Sequence, residues 1–245
     1  MLEIKNLSVG YKNTPVLENI SLKLEKNYTL LGSNGSGKSS FAKALVQSVA
    51  YKGEVLYNGT NIKEYTQKEL SRSIAYVPTK LEIYEKNITT EEFLLLCRYA
   101  LYDGYFSPSA KDKQAVEQAL GFVGLKGKKE TPLGSLSSGE SALVLIASSL
   151  VTEAEVIIFD EPTANLDPKN RKKVVEILAL LQKKYQLLFI THDIELAEYF
   201  GFDILFVQEK KITRYTHKSF FDDRVLSEAY GVCFQDKKVV LDALS

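Results

Sequence analysis

Gly32-Ser33-Asn34-Gly35-Ser36-Gly37-Lys38-Ser39 stands between an apolar run, Tyr28-Thr29-Leu30-Leu31, and the helix-spaced Phe41-Ala42-Lys43-Ala44-Leu45-Val46. The form G-x-x-x-x-G-K-S in a strand–loop–helix setting reads as a phosphate loop. Gly32, Gly35 and Gly37 permit positive φ, so backbone N–H groups can turn inward around an anion. A helix starting near Lys38 brings its positive dipole end to the same point. Lys38 is placed for β- and γ-phosphates, and the Ser39 hydroxyl for Mg²⁺. Ser33, Asn34, Ser36 and Ser40 complete the expected cradle. A glycine-rich turn with a solvated lysine is the bland alternative, and the full eight-residue pattern weighs against it.

Further along, Val156-Ile157-Ile158-Phe159 is an unbroken apolar run, the pattern of a parallel strand buried on both faces. It delivers Asp160 and Glu161 at its C-terminal end, where ligands sit in open α/β sheets. Asp160 fits a Mg²⁺-positioning role through water, and Glu161 the base that orients an attacking water. Between the two motifs lies Leu136-Ser137-Ser138-Gly139-Glu140, followed by the apolar Ala142-Leu143-Val144-Leu145-Ile146-Ala147. Ser137 and Ser138 are good N-cap residues, so a helix N-terminus behind a Ser-Ser-Gly turn forms a second expected anion site.

In this order, the motifs resemble those of the ATP-binding subunit of an ABC transporter, and the likeness covers nearly the whole chain. Leu136–Glu140 is similar to that family's signature, L-S-G-G-Q. The resemblance implies that Ser137, Ser138 and Gly139 close over the γ-phosphate held by a partner subunit, so that a head-to-tail homodimer sandwiches two ATP molecules. Ala164-Asn165-Leu166-Asp167 resembles the D-loop, which adds Asp167 to the nucleotide site; Asp167-Pro168 also reads as N-cap and first helical position. His192, after the apolar Leu187-Leu188-Phe189-Ile190, matches the switch histidine and joins Glu161 and Lys38 as a catalytic candidate. Tyr11, after the opening strand Leu2 to Val9, stands where the family stacks an aromatic ring on adenine, a contact worth about 1 kcal/mol.

Within the family, Arg72-Ser73-Ile74-Ala75-Tyr76-Val77-Pro78, a helix with Leu94-Leu95-Leu96-Cys97-Arg98-Tyr99, and Leu226-Ser227-Glu228-Ala229-Tyr230-Gly231-Val232 resemble importer ATPases for iron–siderophore, haem or cobalamin. Such a subunit docks an integral membrane permease and works indirectly with a substrate-binding protein. Seven positions depart from the pattern: Ser33 stands where proline is frequent, Ser141 and Ala142 where polar or basic residues are usual, Ser148 where arginine is frequent, and the other three lie at the Q-loop and signature. Thr79 holds the Q-loop place, where a glutamine would reach Mg²⁺ and the attacking water; Ser138 replaces the first signature glycine; Glu140 replaces the signature glutamine. These changes bear on coupling and rate and leave the glycines and lysine of the phosphate loop untouched. A soluble ABC ATPase of cofactor assembly, or a degenerate subunit that binds ATP with little turnover, would share the core motifs.

The 245 residues suffice for one large domain with a substantial core. Lys+Arg and Asp+Glu balance at 31 each, which favours neither nucleic acid nor an anionic membrane surface as partner. Cys97 and Cys233 lack metal spacing and fit a reducing compartment without disulfides. Met1-Leu2-Glu3-Ile4-Lys5 reads as an alternating strand rather than a signal peptide. The apolar stretch Ala142 to Val151 is too short to span a bilayer. The resemblance to an ABC transporter subunit implies a peripheral place on the cytoplasmic face of the cell (inner) membrane, with other chains crossing it.

The expected fold is α/β: a P-loop NTPase core with a parallel sheet, a flanking antiparallel β part and an inserted helical subdomain, the ABC ATPase fold. It forms a single domain over 1–245. Residues 1–80 and 151–215 make the core, 81–150 the helical part with the signature, and 216–245 a tail ending in the strand-like Lys238-Val239-Val240-Leu241. Asn58-Gly59 marks a hairpin or tight loop. Thr90 opens one helix and Ser109 caps another, with Ala115, Val116, Ala119, Leu120 and Val123 as its apolar stripe.

Overall fold

The computed structural model describes residues 1–12, 14–81, 87–102 and 108–239. The chain opens with β1 (Leu2–Tyr11), β2 (Thr14–Leu24), β3 (Tyr28–Gly32), α1 (Lys38–Leu45), β4 (Tyr51–Tyr57) and β5 (Thr60–Asn61). There follow α2 (Gln67–Ser73), β6 (Ile74–Val77), α3 (Thr90–Cys97), α4 (Ala110–Phe122), α5 (Ser138–Val151), β7 (Val156–Asp160) and α6 (Pro168–Leu181). Last come β8 (Gln186–Ile190), α7 (Ile194–Phe200), β9 (Asp203–Gln208), β10 (Lys211–Tyr215), α8 (His217–Phe220), α9 (Asp223–Tyr230), β11 (Phe234–Gln235) and β12 (Lys238–Val239). Two compact units divide the chain: Met1–Gly59 with Phe189–Ser245, and Thr60–Leu188.

In the first unit, β1 lies between β2 and β4 in an antiparallel sheet. Alternating burial along β1 shows one face packed and one in water, as the sequence of its first residues foretells. The second sheet runs β10-β9-β3-β8, with β3 parallel to β9. Every residue of β3 is buried, so this strand is an interior rail that ends at the phosphate loop. At Asn58-Gly59 the chain turns with φ of 50° and 87°, the left-handed pair of a two-residue hairpin loop, confirming the expected turn. The tail is part of this unit's core. Phe220, Phe221, Leu226 and Phe234 pack with Phe206 of β9 and Leu31 of β3. Of the strand expected at residues 238–241, Lys238–Val239 is formed as β12, and 240–241 lie outside the described residues.

In the second unit, β6 and β7 run parallel, with Tyr76 level with Ile158 and Val77 with Phe159. α5 packs on α3, α4, α6 and β6. Its apolar face is wide because Leu143, Val144, Leu145, Ile146 and Ala147 are all buried. α4 is capped by Ser109 in a reciprocal box with Asp112, and Val116, Ala119, Leu120 and Val123 are buried, with Ala115 at the edge of the stripe. α3 stops at Cys97, so Arg98 and Tyr99, read as part of the same helix, instead form its cap and a following 3₁₀ turn. The reason is tertiary. Arg98 is 2% exposed; its Nε donates to Asp112 at 2.7 Å, and its Nη1 donates to Glu153 and to the Val151 carbonyl, both at 2.8 Å. One guanidinium thereby joins α3, the first turn of α4 and the end of α5.

Candidate functional site

The phosphate loop leaves β3 in the first unit. Gly32 has φ 153°, and a Cβ there would lie 2.7 Å from the Val207 carbonyl of β9; Gly37 has φ 105°, and its Cβ would lie 2.6 Å from Val16 Cγ1. Both need glycine for conformation and for space. Gly35 also has positive φ, and Ser36 N–H closes a turn on the Ser33 carbonyl. Gly37 caps α1 with no side-chain hydrogen bond, and no acid stands in the first turn. A helix start with no side-chain cap and no acid in its first turn suits an anion.

Lys38 is 7% exposed, and its ammonium donates to the Gly32 carbonyl at 2.8 Å and the Ser33 carbonyl at 3.0 Å. The charge thus sits inside the loop rather than in solvent. Ser39 is exposed, and so are Ser33, Asn34 and Gly35, while Ser36 and Ser40 are half-buried. Tyr11, expected after the first strand, is its last residue, paired with Thr14 because β1 runs two residues past Val9. Its ring is 47% exposed, and its hydroxyl donates to Ser40 Oγ at 3.2 Å, which ties it to α1. His192 is exposed just past β8; the preceding Thr191 donates its N–H to the Leu30 carbonyl of β3, two residues before Gly32. The first unit therefore gathers Tyr11, the loop and the strand carrying His192.

The second unit holds the carboxylates and the signature. All of β7 is buried, and Asp160 at its end is 3% exposed. Tyr76 of β6 donates its hydroxyl to Asp160 Oδ2 at 2.8 Å, while Asp160 Oδ1 is buried with no hydrogen-bond partner among the described residues. A buried carboxylate oxygen without a donor suits a cation or a cation-bound water, so the expected Mg²⁺ fits the donor set here. Glu161 is half-buried with φ 51°, a left-handed conformation uncommon outside glycine that turns the chain sharply off the strand. Thr79 is exposed on the bend two residues past β6.

Ser137 caps α5, accepting from Glu140 N–H at 3.2 Å, and Glu140 accepts from Ser137 N–H at 2.9 Å. Ser138 and Gly139, expected in a turn before the helix, already belong to its first turn, because this reciprocal box fixes the start at Ser138. Glu140 also pairs with Lys128 at 2.9 Å. The Lys128 ammonium, together with the Ser137 N–H, holds the Glu140 carboxyl down to about 2. Gly139 is buried, and a Cβ there would lie 2.3 Å from Asn170 Cγ. Asn170 in turn donates to the Asp167 carboxylate from its N–H at 3.0 Å and its side chain at 2.5 Å. These bonds, the backbone one foremost, lower the Asp167 carboxyl below its usual range. A cleft of about 520 Å³ beside Ser137 is rimmed by Lys128, Lys169 and Lys173, with the Glu140 carboxylate that pairs with Lys128 also in its lining.

Residues 17–164 match the family model described as ABC transporter. The chain belongs to the ABC transporter family. It is an ATP-binding subunit and an ATPase of that family. An ABC transporter ATP-binding protein of Haemophilus influenzae is 32% identical over 86% of this chain and 81% of its own length. The achromobactin transport ATP-binding protein of Dickeya dadantii is 31% identical over 79% of this chain and 73% of its own. An ATP-binding cassette solved as a dimer in a post-hydrolysis state with ADP and Pi superposes with a TM-score of 0.78 at 23% identity, covering 89% of this chain and 99% of that one. This last likeness concerns the fold, which is the ABC ATPase fold expected from the sequence.

Among the described residues of this ABC subunit, no helix is long and apolar enough to cross a membrane. Three contacts at its motifs lie outside the reach of motif reading. Tyr76 was notable only as part of a family-like stretch, yet it touches Asp160. Asn170 sits at the third helical position after Asp167, a spacing that fits a capping partner, but its contact with Gly139 leaves no mark in the sequence. Lys128 gives no local signal for its pairing with Glu140.

Proposed function

We propose that this ABC subunit hydrolyses ATP to power a membrane importer for iron–siderophore, haem or cobalamin-type cargo, through closure of a homodimer. The observation that carries the nucleotide chemistry is the buried Lys38 ammonium at the start of α1, whose glycine cap supplies no side-chain acceptor. In this reading Lys38 neutralises the β- and γ-phosphates, and Ser33, Asn34, Gly35, Ser36, Gly37 and Ser40 cradle them. Ser39 and Asp160, the latter partly through water, hold Mg²⁺, with Thr79 at the Q-loop position beside it; the cation neutralises phosphate charge. Glu161 orients the attacking water, His192 reads the γ-phosphate, and Tyr11 stacks on adenine.

Ser137, Ser138, Gly139 and Asp167 serve the partner's ATP, and the lysine-rimmed cleft beside Ser137 supports an anion there. Residues 1–245 act as one ATP-binding domain, peripheral at the cytoplasmic face of the membrane through a permease, with a substrate-binding protein acting upstream. The importer reading rests on the likeness to the achromobactin transport protein and on the importer-like stretches of the sequence.

Glu161→Gln tests the reading. Nucleotide binding should persist, because Lys38 and the loop do not depend on it, while turnover falls by roughly 10²–10⁴ and an ATP-bound dimer accumulates on gel filtration. Lys38→Ala should weaken binding itself. A persistent monomer with wild-type turnover in Glu161→Gln would remove Glu161 from the chemistry, and undiminished binding in Lys38→Ala would remove the phosphate loop.

A further inference from the structure

We propose that Tyr76 is a positioning residue for Asp160, occupying Oδ2 with its hydroxyl and so reserving Oδ1 for the divalent cation of the nucleotide complex. The placement is built by the sheet. Tyr76 on β6 is level with Ile158 on the parallel β7, and Asp160, two residues further on, faces the same side of the pleat. The hydroxyl–carboxylate distance is 2.8 Å, across 84 residues of sequence. An acceptor that carries charge makes this bond stronger than a neutral one.

Asp160 is 3% exposed, so bulk water barely reaches its carboxylate and the groups around it must supply its partners. Its two oxygens are treated differently: Oδ2 takes the phenol, while Oδ1 has no hydrogen-bond partner among the described residues. A carboxylate swings readily about its last torsion, and a donor fixed on one oxygen removes that freedom. What remains is one buried, donor-free oxygen in a set orientation, the form a hard cation or its bound water accepts. Phenylalanine at residue 76 would fill the same space and remove only the donor. The aromatic ring alone therefore does not account for the hydroxyl.

The inference rests on Asp160 being a cation residue, and the experiment separates the two ideas. Mn²⁺ is titrated by electron paramagnetic resonance into the full chain holding a non-hydrolysable ATP analogue, for wild type, Tyr76→Phe, Asp160→Asn and the double variant. Tyr76→Phe should raise the Mn²⁺ dissociation constant about tenfold, equal to about 1.4 kcal/mol, and leave metal-free nucleotide binding unchanged. In the Asp160→Asn background, which itself binds Mn²⁺ more weakly, the same change should add nothing. Unchanged Mn²⁺ affinity in Tyr76→Phe while Asp160→Asn weakens it would overturn the role of Tyr76 alone. An equal tenfold loss in both backgrounds would also overturn it, because Tyr76 would then act without Asp160. Unaltered affinity in Asp160→Asn would remove the cation reading of Asp160 and this inference with it.

Discussion

Glu140→Gln restores the residue that the family signature usually carries and isolates the effect of one charge. Glutamine keeps the capping box, because its amide oxygen can still accept from Ser137 N–H. It loses the negative charge that faces Lys128 at 2.9 Å and the N-terminus of α5. The side chains of Lys128 and Glu140 are 42% and 25% exposed, so water screens the pair and limits its worth to about 0.5 kcal/mol. The charge–dipole interaction adds about 0.5 kcal/mol. Wild type should therefore be more stable than Glu140→Gln by about 1 kcal/mol at neutral pH.

The pH dependence follows from a carboxyl whose folded value, about 2, lies below its ordinary 4.5. The contribution is fully present above pH 4.5 and is lost as pH falls from 4.5 toward 2. Urea unfolding followed by tyrosine emission suits a chain with 14 tyrosines and no tryptophan. The two proteins should converge as the pH is lowered through this window, and partly converge at neutral pH in about 1 M salt. A gap that stayed constant at low pH and high salt would refute the electrostatic origin. No gap at neutral pH would show that Lys128 and the helix terminus contribute nothing here.

Arg98→Met should cost about 3–5 kcal/mol, because it leaves Asp112 buried without its cation; adding Asp112→Asn, which keeps the Ser109 contacts but removes the charge, should recover most of that in urea midpoints. A loss under about 1 kcal/mol in the single variant would show that the guanidinium is dispensable. Gly37→Ala should lower nucleotide affinity at least about tenfold by calorimetry, since φ of 105° and a methyl 2.6 Å from Val16 Cγ1 both force the loop to shift. Wild-type affinity there would mean that the loop's observed shape is not the one that binds.

Much of the site was legible because its determinants are local. The phosphate loop is one run of eight residues whose glycine spacing already encodes positive φ, and the structure shows it at Gly32, Gly35 and Gly37. Caps at Ser109, Ser137 and Asp167 each join a side chain to an N–H three residues on, so they too can be read within four letters. The unbroken apolar run of β7 announced a strand buried throughout.

Other features required the chain to return upon itself. Tyr76 meets Asp160 only because β6 and β7 are neighbours in one register, and a slip of one residue would point the phenol to the other face. Arg98 was legible only as part of a helix, and its burial depends on Asp112 and Glu153 arriving from two other elements. Gly139 looks like a turn residue; its real constraint is the Asn170 side chain above it. Sequence determined what depends on torsion preferences and hydrogen bonds within a few residues. The fold decided which distant charges and hydroxyls meet, because that depends on strand order and helix packing, to which every residue of the core contributes.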